Sequence, residues 1–404
     1  MKRILIVAPF TILPGEKGFN RFRYLAERLV NEGYEVELLT SNFLHNEKIF
    51  RKEKDICNFN TVNQLRITLI NEKGYRRNVG FGRIVSHKKF SKNLKSYLKN
   101  KKSSYDIVYC AYPLIESSEV VIKYCDQEEI PFVLDIQDIW PESINTILKL
   151  PHFLLSILLL PITFKANRIY RASVNIVAVS HTYLNRALRA NSNVENRLVI
   201  PIGTDINVFD KLSLEKVNKT ENEFWVTYIG TLSYSYDIET LIQAIKVIKN
   251  KGYSNIKLLI CGSGPKEQEL KEMASEISDG VNFLGHLTYQ DMVPILYNSN
   301  VAANALTKSS LGSLTNKLGD YLAAGLPILN SGSNIEVLDL IEKESLGINY
   351  ESGDFNSLAD HIIYLYLNLE IREKHGLNSR RVAEKNFKRE KTYNEITTLI
   401  KSII

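Results

Sequence analysis

The stretch FWVTYIGTLSYSYDIETLIQAIKVIKNKGYSNIKLLICG (224–262) contains two short apolar segments separated by one amphipathic segment. FWVTYIG (224–230) and IKLLICG (256–262) are almost continuously apolar and end in glycine, which is typical of buried parallel strands. ETLIQAIKVIKNKG (239–252) repeats its apolar residues at helical spacing and predicts the helix between them. A strand, a helix and a second strand in this order predict an α/β protein with a parallel sheet covered on both faces.

The same alternation extends outward from this stretch in both directions. In the first half we predict strands at ILIVA (4–8), VELLT (36–40), YDIVYCA (105–111), PFVLDI (131–136) and NIVAVS (175–180). In the second half further strands are expected at VNFLG (281–285), NVAANA (300–305) and LPILNSG (326–332). The pattern predicts two doubly wound, Rossmann-like domains over 1–205 and 206–385, and a C-terminal helix over 386–404 that can pack back on the N-terminal domain. Sheets of this kind bind ligands at the carboxyl ends of their strands.

Composition excludes several classes of protein. Of the 404 residues, 44% are hydrophobic and 24% are charged, as in a folded globular chain, and the net charge of +6 is too modest for a dedicated nucleic-acid binder. The four cysteines form no C-x-x-C pair, which favours a reducing compartment and gives no metal or redox site. The N-terminus has no small-x-small cleavage site and is interpreted as the first strand, so a cytoplasmic location is expected.

Motifs of other enzyme classes are missing from the sequence. It has no GxxxxGK[ST] phosphate loop, no HExxH, no GxSxG and no DxD. GSGPKE (262–267) has two of the three glycines of a dinucleotide fingerprint, and a tight turn between a strand and a helix explains it as well. The chemistry must therefore come from a combination of weaker motifs.

Six motifs, taken in order, resemble the C-terminal half of family 4 glycosyltransferases, which have the GT-B fold. They are VIPIGTDINVF (199–209), YIGTLSYSYDIETLI (228–242), LLICGSGPKEQEL (258–270), VNFLGHL (281–287), NKLGDYLAAGLPI (316–328) and LGINYESGDFNSLA (346–359). DIQDIWPES (135–143) resembles the matching segment of the bacterial branch that builds capsule, O-antigen and exopolysaccharide. The resemblance covers essentially the whole chain and implies two domains that face each other across a cleft.

The resemblance implies a retaining, metal-independent hexosyl- or N-acetylhexosaminyltransferase without a cofactor. Its donor would be a nucleoside-diphosphate sugar, with UDP favoured, and its acceptor a polyprenyl-diphosphate-linked glycan or oligosaccharide. In the mechanism proposed for the family, the leaving diphosphate helps to deprotonate the acceptor. Two alternatives stay open: a sugar-nucleotide epimerase of the same fold, and a non-catalytic partner subunit of a glycosyltransferase complex.

The donor site is expected around the helix that begins near Lys317. The loop SSLGSLTN (309–316) would supply backbone N–H groups to the diphosphate, and Lys317 a positive charge in a catalytic role. Asp320 stands where the family has the second Glu of E-x(7)-E and is expected to bind the ribose, although it could instead be a solvated helix residue. The remaining donor candidates are Gly15 and Gly18 of an N-terminal glycine-rich loop, Gly230, Thr231, Gly264, Gly285, Ser309, Gly312 and Ser313.

Two departures from the family pattern weaken the donor site. Gly312 occupies the position of the first Glu of E-x(7)-E, so a backbone or hydroxyl group must contact the sugar. Thr231 and Tyr236 replace the usual Arg and Lys after the first strand of the C-terminal domain. The charge of the diphosphate would then be balanced mainly by Lys317, with Lys308 as a second candidate.

The acceptor side is expected at the end of the fourth strand of the N-terminal domain. Many relatives have His-Asp there, whereas this chain has Gln137 and Asp138. A glutamine cannot shuttle a proton at neutral pH, so Asp138 is the candidate that polarises the acceptor hydroxyl. A helix N-cap is the structural alternative for Asp138. Arg83 is a further candidate on the acceptor side.

Charge placement indicates a membrane surface. From Lys73 to Lys102 there are eleven Lys or Arg and no acidic residue, with aromatic and aliphatic residues between them. The apolar FLLSILLLPITF (153–164) is too short to span a bilayer and precedes a second basic region. These features suit peripheral attachment to the inner face of the cytoplasmic membrane. A solvated basic helix beside an ordinary core helix would explain them equally well, and no nucleic acid is expected as a partner.

Overall fold

The computed structural model describes residues 1–13, 16, 21–52, 64–77, 80–101, 104–143, 152–277, 279–308, 310 and 314–404. The chain divides into two compact units. The first contains Met1–Ile200 and Tyr393–Ile404, and the second contains Pro201–Thr392. The boundary thus falls after residue 200, whereas the sequence placed it after 205, and the last twelve residues belong to the first unit.

The first unit is built from strands and helices that alternate along the chain. Its strands are β1 Arg3–Val7, β2 Glu35–Ser41, β3 Phe43–Leu44, β4 Ile49–Phe50, β5 Leu65–Ile70, β6 Ile107–Tyr112, β7 Phe132–Ile136, β8 Asn175–Ala178 and β9 Asn196–Val199. Its helices are α1 Arg21–Asn31, α2 Phe81–Lys99, α3 Ile115–Glu128, α4 His152–Ala172 and α5 His181–Leu188.

Seven of these strands form one parallel sheet in the order β5-β2-β1-β6-β7-β8-β9, and β3 and β4 form a separate antiparallel pair. The central strand β1 pairs with β2 on one side and with β6 on the other, so the direction of winding reverses between β1 and β6. Four apolar residues near the chain terminus pack into the core of this unit, and they are Tyr393, Ile396, Leu399 and Ile400.

The second unit repeats this plan. Its strands are β10 Phe224–Ile229, β11 Ile256–Cys261, β12 Val281–Gly285, β13 Val301–Asn304, β14 Ile328–Asn330 and β15 Gly347–Asn349. Its helices are α6 Ile206–Ser213, α7 Ile238–Asn250, α8 Glu267–Ala274, α9 Tyr289–Tyr297, α10 Asn316–Ala323, α11 Ile335–Lys343, α12 Phe355–Leu367 and α13 Leu369–Val382. A π-helical turn, Ala383–Phe387, leads to the last helix, α14 Arg389–Ile403.

All six strands of the second unit are parallel, in the order β12-β11-β10-β13-β14-β15. The direction of winding reverses between β10 and β13. Helix α7 packs its apolar face against this sheet, because Leu241, Ile245 and Ile248 are fully buried in its core. The predicted α/β chain with two doubly wound domains is confirmed.

The short antiparallel pair β3 and β4 was not predicted from the sequence, and three strands of the two parallel sheets were also missed: β5, β9 and β15. Each lies at the edge of a sheet. An edge strand has one neighbour and more contact with water, so its sequence lacks the continuous apolar run of a central strand. Arg66 and Thr68 interrupt β5 in this way.

Among the helices in the described part of the chain, none has the length and apolar character that crossing a bilayer requires.

Candidate active site

The crevice of the second unit lies where β10 and β13 diverge. The two strands pair only at Val226 with Val301 and at Thr227 with Ala302. Beyond these pairs the hydroxyl of Tyr321 accepts a hydrogen bond from the Ile229 N–H and donates one to the Ala303 carbonyl, both at 3.0 Å. Tyr321 is fully buried and belongs to α10, so it fixes that helix at the carboxyl ends of the strands.

Glycines let the backbone pack closely at this edge. An added Cβ at Gly262 would lie 1.8 Å from the Gly230 carbonyl oxygen, and one at Gly264 would lie 2.2 Å from the Leu232 carbonyl oxygen. Gly230 has a φ of 137°, a backbone conformation that favours glycine. Of the predicted donor residues, Gly264 therefore has a packing role and Gly230 a conformational one, whatever they contact in a ligand.

Lys317 lies in the first turn of α10 and points its amine at the turn after β10. Its Nζ is 4.3 Å from the ring centre of Tyr228 and 4.0 Å from that of Tyr236. An added Cβ at Gly230 would lie 3.3 Å from the same nitrogen. Lys317 is only 8% exposed, and its Nζ has no hydrogen-bond partner among the described residues.

Burial dominates the electrostatics of Lys317. It lowers the pKa of the amine from 10.5 to about 7, because a charged amine loses its hydration there. The faces of the two tyrosine rings attract a cation, but they satisfy none of its N–H donors. Near neutral pH the amine is therefore only partly protonated, and an anion entering the crevice would favour its charged form.

The N-terminus of α10 adds to this positive character. Thr315 is the N-cap residue, yet its side chain makes no capping hydrogen bond and instead contacts the Asn304 Oδ1 at 3.4 Å. The first N–H groups of the helix therefore receive no acceptor from the N-cap side chain. Such groups, with the helix dipole, favour a bound anion. The predicted donor residues Ser309, Gly312 and Ser313 lie outside the described residues.

Asp320 follows one turn later. Its Oδ1 accepts hydrogen bonds from the Thr204 hydroxyl at 2.8 Å and from the Tyr289 hydroxyl at 3.0 Å. Burial raises the pKa of the carboxyl group, and the two hydrogen bonds oppose that effect. Asp320 is therefore not a freely solvated helix residue. Thr204 and Tyr289 were not predicted as site residues from the sequence, because they come from distant segments of the chain.

The other donor candidates of this unit are placed as follows. Thr231 is exposed, and its carbonyl accepts a hydrogen bond from the Tyr228 hydroxyl at 2.9 Å. Gly285 has a φ of 69°, and an added Cβ there would meet no atom within 4 Å. Lys308, which is also exposed, forms an ion pair with Glu351. Lys308 therefore already has a counter-ion, whereas Lys317 has none among the described residues.

In the first unit, Asp138 is bonded mainly within its own loop, and the Tyr183 hydroxyl of α5 also donates to its Oδ1 at 3.5 Å. It accepts hydrogen bonds from the Ile139 N–H at 2.8 Å, the Trp140 Nε1 at 3.2 Å and the Ser143 hydroxyl. These contacts stabilise the loop, and this role is similar to the helix N-cap role that was the structural alternative for Asp138. The guanidinium of Arg83 lies 5.5 Å from the ring centre of Trp140. The fold thus brings two acceptor-side candidates, Asp138 and Arg83, to the same tryptophan.

Gln137 belongs to a buried network that the sequence analysis missed. Its Nε2 donates to the Asp135 Oδ1 at 2.6 Å, while Asp135 Oδ2 accepts from Arg21 at 2.6 Å and from the Tyr109 hydroxyl at 2.7 Å. The Arg21 and Asp135 side chains are 2% and 0% exposed. Asp135 is the acidic residue inside the predicted strand PFVLDI, which was the available signal. Gly15 and Gly18 lie outside the described residues.

The basic helix α2 is amphipathic, but its apolar face is not available to a membrane. Phe90, Leu94 and Leu98 are buried, while the lysines of the helix are exposed. Only its beginning presents apolar side chains to solvent, at Phe81 and Ile84. We expected aromatic and aliphatic residues along α2 to face a membrane. Only those in its first turn are exposed.

Helix α4 differs from an ordinary core helix. Ala166, Ile169 and Tyr170 are buried, whereas four large apolar side chains are 47–67% exposed. These exposed residues are Ile157, Leu158, Leu160 and Phe164. We call these four residues the α4 apolar face.

Within the described ranges, no group of three or more His, Cys, Asp or Glu side chains is positioned to hold a metal ion.

The two-unit architecture and its crevice can be compared with known proteins. Residues 223–368 match the family described as Glycosyl transferases group 1. This group 1 match covers β10 through α12 and includes both Lys317 and Asp320. The chain is also 25% identical over 244 residues to the capsular polysaccharide biosynthesis glycosyltransferase CapM of Staphylococcus aureus. That similarity covers 57% of this chain and 62% of CapM, so it spans less than two thirds of the relative's length.

Solved structures extend the comparison to the whole chain. Sucrose-phosphate synthase from Thermosynechococcus elongatus has a TM-score of 0.73 at 17% identity and covers 100% of this chain and 99% of its own. HepE of Anabaena, in a complex with UDP, has a TM-score of 0.68 at 15% identity and covers 100% of both chains. These likenesses establish the fold, which is GT-B.

Proposed function

We propose that this protein transfers a sugar from a nucleoside-diphosphate donor, with UDP favoured, to a glycan acceptor. The observation that carries the proposal is Lys317: a buried amine without a partner among the described residues, beside Gly230 and the start of α10. A diphosphate requires positive charge and N–H donors at one place, and this crevice combines them. The group 1 match and the UDP complex of HepE support the proposal.

We further propose family 4 membership, a retaining reaction and no need for a metal or a cofactor. As the sugar leaves the donor, Lys317 and the first N–H groups of α10 would stabilise the charge that develops on the diphosphate. That diphosphate would help to remove the proton of the acceptor hydroxyl on the same face of the sugar. Asp320 would hold the ribose. Both of its hydrogen bonds to the protein are accepted by Oδ1, so Oδ2 can accept hydrogen bonds from the ribose hydroxyls.

The acceptor in this proposal is a lipid-linked glycan at the inner face of the cytoplasmic membrane, in the synthesis of a bacterial surface polysaccharide. The similarity to CapM supports the role in polysaccharide synthesis. The α4 apolar face and the exposed lysines of α2 support attachment to an anionic lipid surface. Such attachment would keep the enzyme near an acceptor that never leaves the membrane.

Calorimetric titration with UDP, GDP, dTDP and CMP, with and without EDTA, tests the donor site. We expect UDP to bind and EDTA to have no effect. Loss of a charge-assisted contact in Lys317→Met should weaken binding by about tenfold or more. Lys343→Met is the matched control, because Lys343 is an exposed lysine of the same unit. Equal affinity in Lys317→Met and the wild type would refute the assignment of Lys317.

A turnover assay tests the reaction itself. The protein is incubated with UDP-sugars and a lipid-linked glycan acceptor, and the anomeric configuration of the product is read by NMR. A product with the configuration of the donor supports retaining transfer, and an inverted product contradicts it. Conversion of the donor without an acceptor would identify an epimerase, whereas binding without turnover would identify a non-catalytic subunit.

A further inference from the structure

The first unit contains a cavity lined by residues of that unit alone. Its volume is about 400 Å³, within the range of about 300–1,000 Å³ that is common for small-molecule sites. Phe10 follows the end of β1, His45 and Lys48 lie in the turn between β3 and β4 that comes after β2, and Tyr75 follows β5. The cavity therefore opens at the carboxyl ends of three parallel strands, the edge at which such sheets bind ligands.

Two cations in this cavity are close to each other. Lys48 Nζ lies 4.7 Å from the ring centre of Tyr75, and the Arg83 guanidinium lies 5.8 Å from the same ring. Burial and the charge of Arg83 both lower the pKa of Lys48. The two positive charges therefore repel each other, and an anion bound beside them would relieve that repulsion.

No carboxylate in the described part of the chain balances the charge of Lys48. Its amine donates to the His45 carbonyl oxygen, and it forms no ion pair with the residues the structure describes. Arg51 also lines the cavity, but Glu16 neutralises it through contacts of 2.6 and 2.7 Å. Glu72 is buried and is already bonded to Ser41, Ser86 and His45. Lys48 thus carries the charge that these carboxylates leave uncompensated.

The backbone at Lys48 is also unusual. Its φ is 60°, in the left-handed region that glycine and asparagine occupy more readily. A lysine in this backbone conformation costs of the order of 1 kcal/mol of strain. Strained residues of this kind are found mostly at functional sites. The strained turn holds the amine above Tyr75, so the side chain gains a defined position inside the cavity.

Aromatic rings form the wall beside the two cations. Phe10 and His45 pack edge to face with ring centres 4.4 Å apart, and the Tyr75 hydroxyl contacts His45 Nδ1 at 2.8 Å. Rigid rings next to positive charge suit a ligand that has an apolar ring face joined to an anionic group. A sugar with a phosphate ester has this combination.

We propose that this cavity binds the phosphate or diphosphate ester next to the sugar of the acceptor, with Lys48 and Arg83 as its charged contacts. The inference rests on the proposed function, since it names the chemical class of the acceptor. A lipid-linked diphosphate and a free sugar phosphate share this chemistry. Binding at the cavity does not require the nucleotide crevice to be occupied.

The test measures binding in a Lys317→Met background, so that the nucleotide crevice contributes little. Inorganic diphosphate, a sugar 1-phosphate and a polyprenyl diphosphate in detergent micelles are titrated by calorimetry. We expect Lys48→Met and Arg83→Met each to weaken binding by about tenfold or more. Lys123→Met, which removes an exposed lysine of the same unit, should leave the affinity unchanged. Circular dichroism verifies the fold of each variant, and Lys48→Asn offers a substitution compatible with the backbone.

Each outcome supports or overturns the proposal. Selective loss in the Lys48 and Arg83 variants supports it, and the probe that binds best identifies a lipid-linked or a soluble acceptor. Absence of binding by all three probes, or equal affinity in Lys48→Met, Lys48→Asn and their parent, would overturn it. If no nucleotide binds to the wild type but diphosphate still binds at this cavity, the proposed donor is wrong and the anion site in the first unit is still supported.

Discussion

Replacing Lys317 by methionine should change how the free energy of unfolding of the second unit depends on pH. Burial lowers the pKa of the folded amine to about 7, whereas in the unfolded chain the pKa returns to about 10.5. Between these values the unfolded chain holds a proton that the folded chain lacks. The stability of the wild type therefore rises with pH in this window, and a methionine of similar size cannot contribute to that rise.

The magnitude follows from proton linkage. A full difference of one proton changes the free energy of unfolding by about 1.36 kcal/mol per pH unit. Because the folded amine is only half deprotonated near pH 7, the gain between pH 7 and pH 9 is about 2 kcal/mol relative to Lys317→Met. For a unit of this size that difference corresponds to roughly 4–8 °C in melting temperature.

Urea unfolding at pH 7, 8 and 9 provides the assay. The wild type, Lys317→Met and the control Lys343→Met are compared, so that the titration of all other groups cancels in the differences. We expect the free energy of unfolding of the wild type to increase relative to that of Lys317→Met as the pH rises. The difference between the wild type and Lys343→Met should stay constant. Parallel curves for the wild type and Lys317→Met would refute the reasoning, because the amine would then keep an ordinary pKa and its hydration.

Two further predictions concern the first unit. Asp135→Asn should lower the free energy of unfolding by about 3–5 kcal/mol in urea titrations, because the charge of Arg21 would remain buried without its partner; a change below about 1 kcal/mol would contradict this. The double variant Leu158→Ser with Phe164→Ser should bind phosphatidylglycerol-containing vesicles at least about tenfold more weakly in sedimentation assays, because it removes apolar surface from the α4 apolar face. Leu377→Ser, an exposed leucine of the second unit, should bind like the wild type, and equal binding by all three proteins would argue against membrane attachment through α4.

Much of the architecture could be predicted because a buried strand leaves a local signal. The central strands β1, β6, β10 and β11 are apolar along most of their length, since both faces of a parallel sheet are covered. The edge strands β5, β9 and β15 have a weaker signal and were missed, whereas the edge strand β12 was predicted from VNFLG (281–285). Strand order also had to come from the structure, because pairing joins segments that are distant in sequence.

The candidate site was predicted unevenly. The motif around Lys317 and Asp320 indicated an anion site at the start of a helix, and the structure places both residues at the carboxyl ends of the strands. The environment of Lys317 was not predictable, since Tyr228 and Tyr236 reach it from the other side of the crevice. From the sequence alone, Asp138 was a candidate both for the acceptor side and for a structural role. Its hydrogen bonds in the structure show how it stabilises its loop.

The sequence by itself determined the alternation of strands and helices, because the spacing of apolar residues is a local property of each segment and does not depend on distant parts of the chain. It also determined where Lys317 and Asp320 stand in their helix. Only the tertiary structure decided which charges lack a carboxylate partner among the described residues, as the amines of Lys317 and Lys48 do, in contrast to the paired Arg51 and Lys308. Burial and pairing depend on segments that meet only after folding, so the charge available to a ligand is a property of the folded chain.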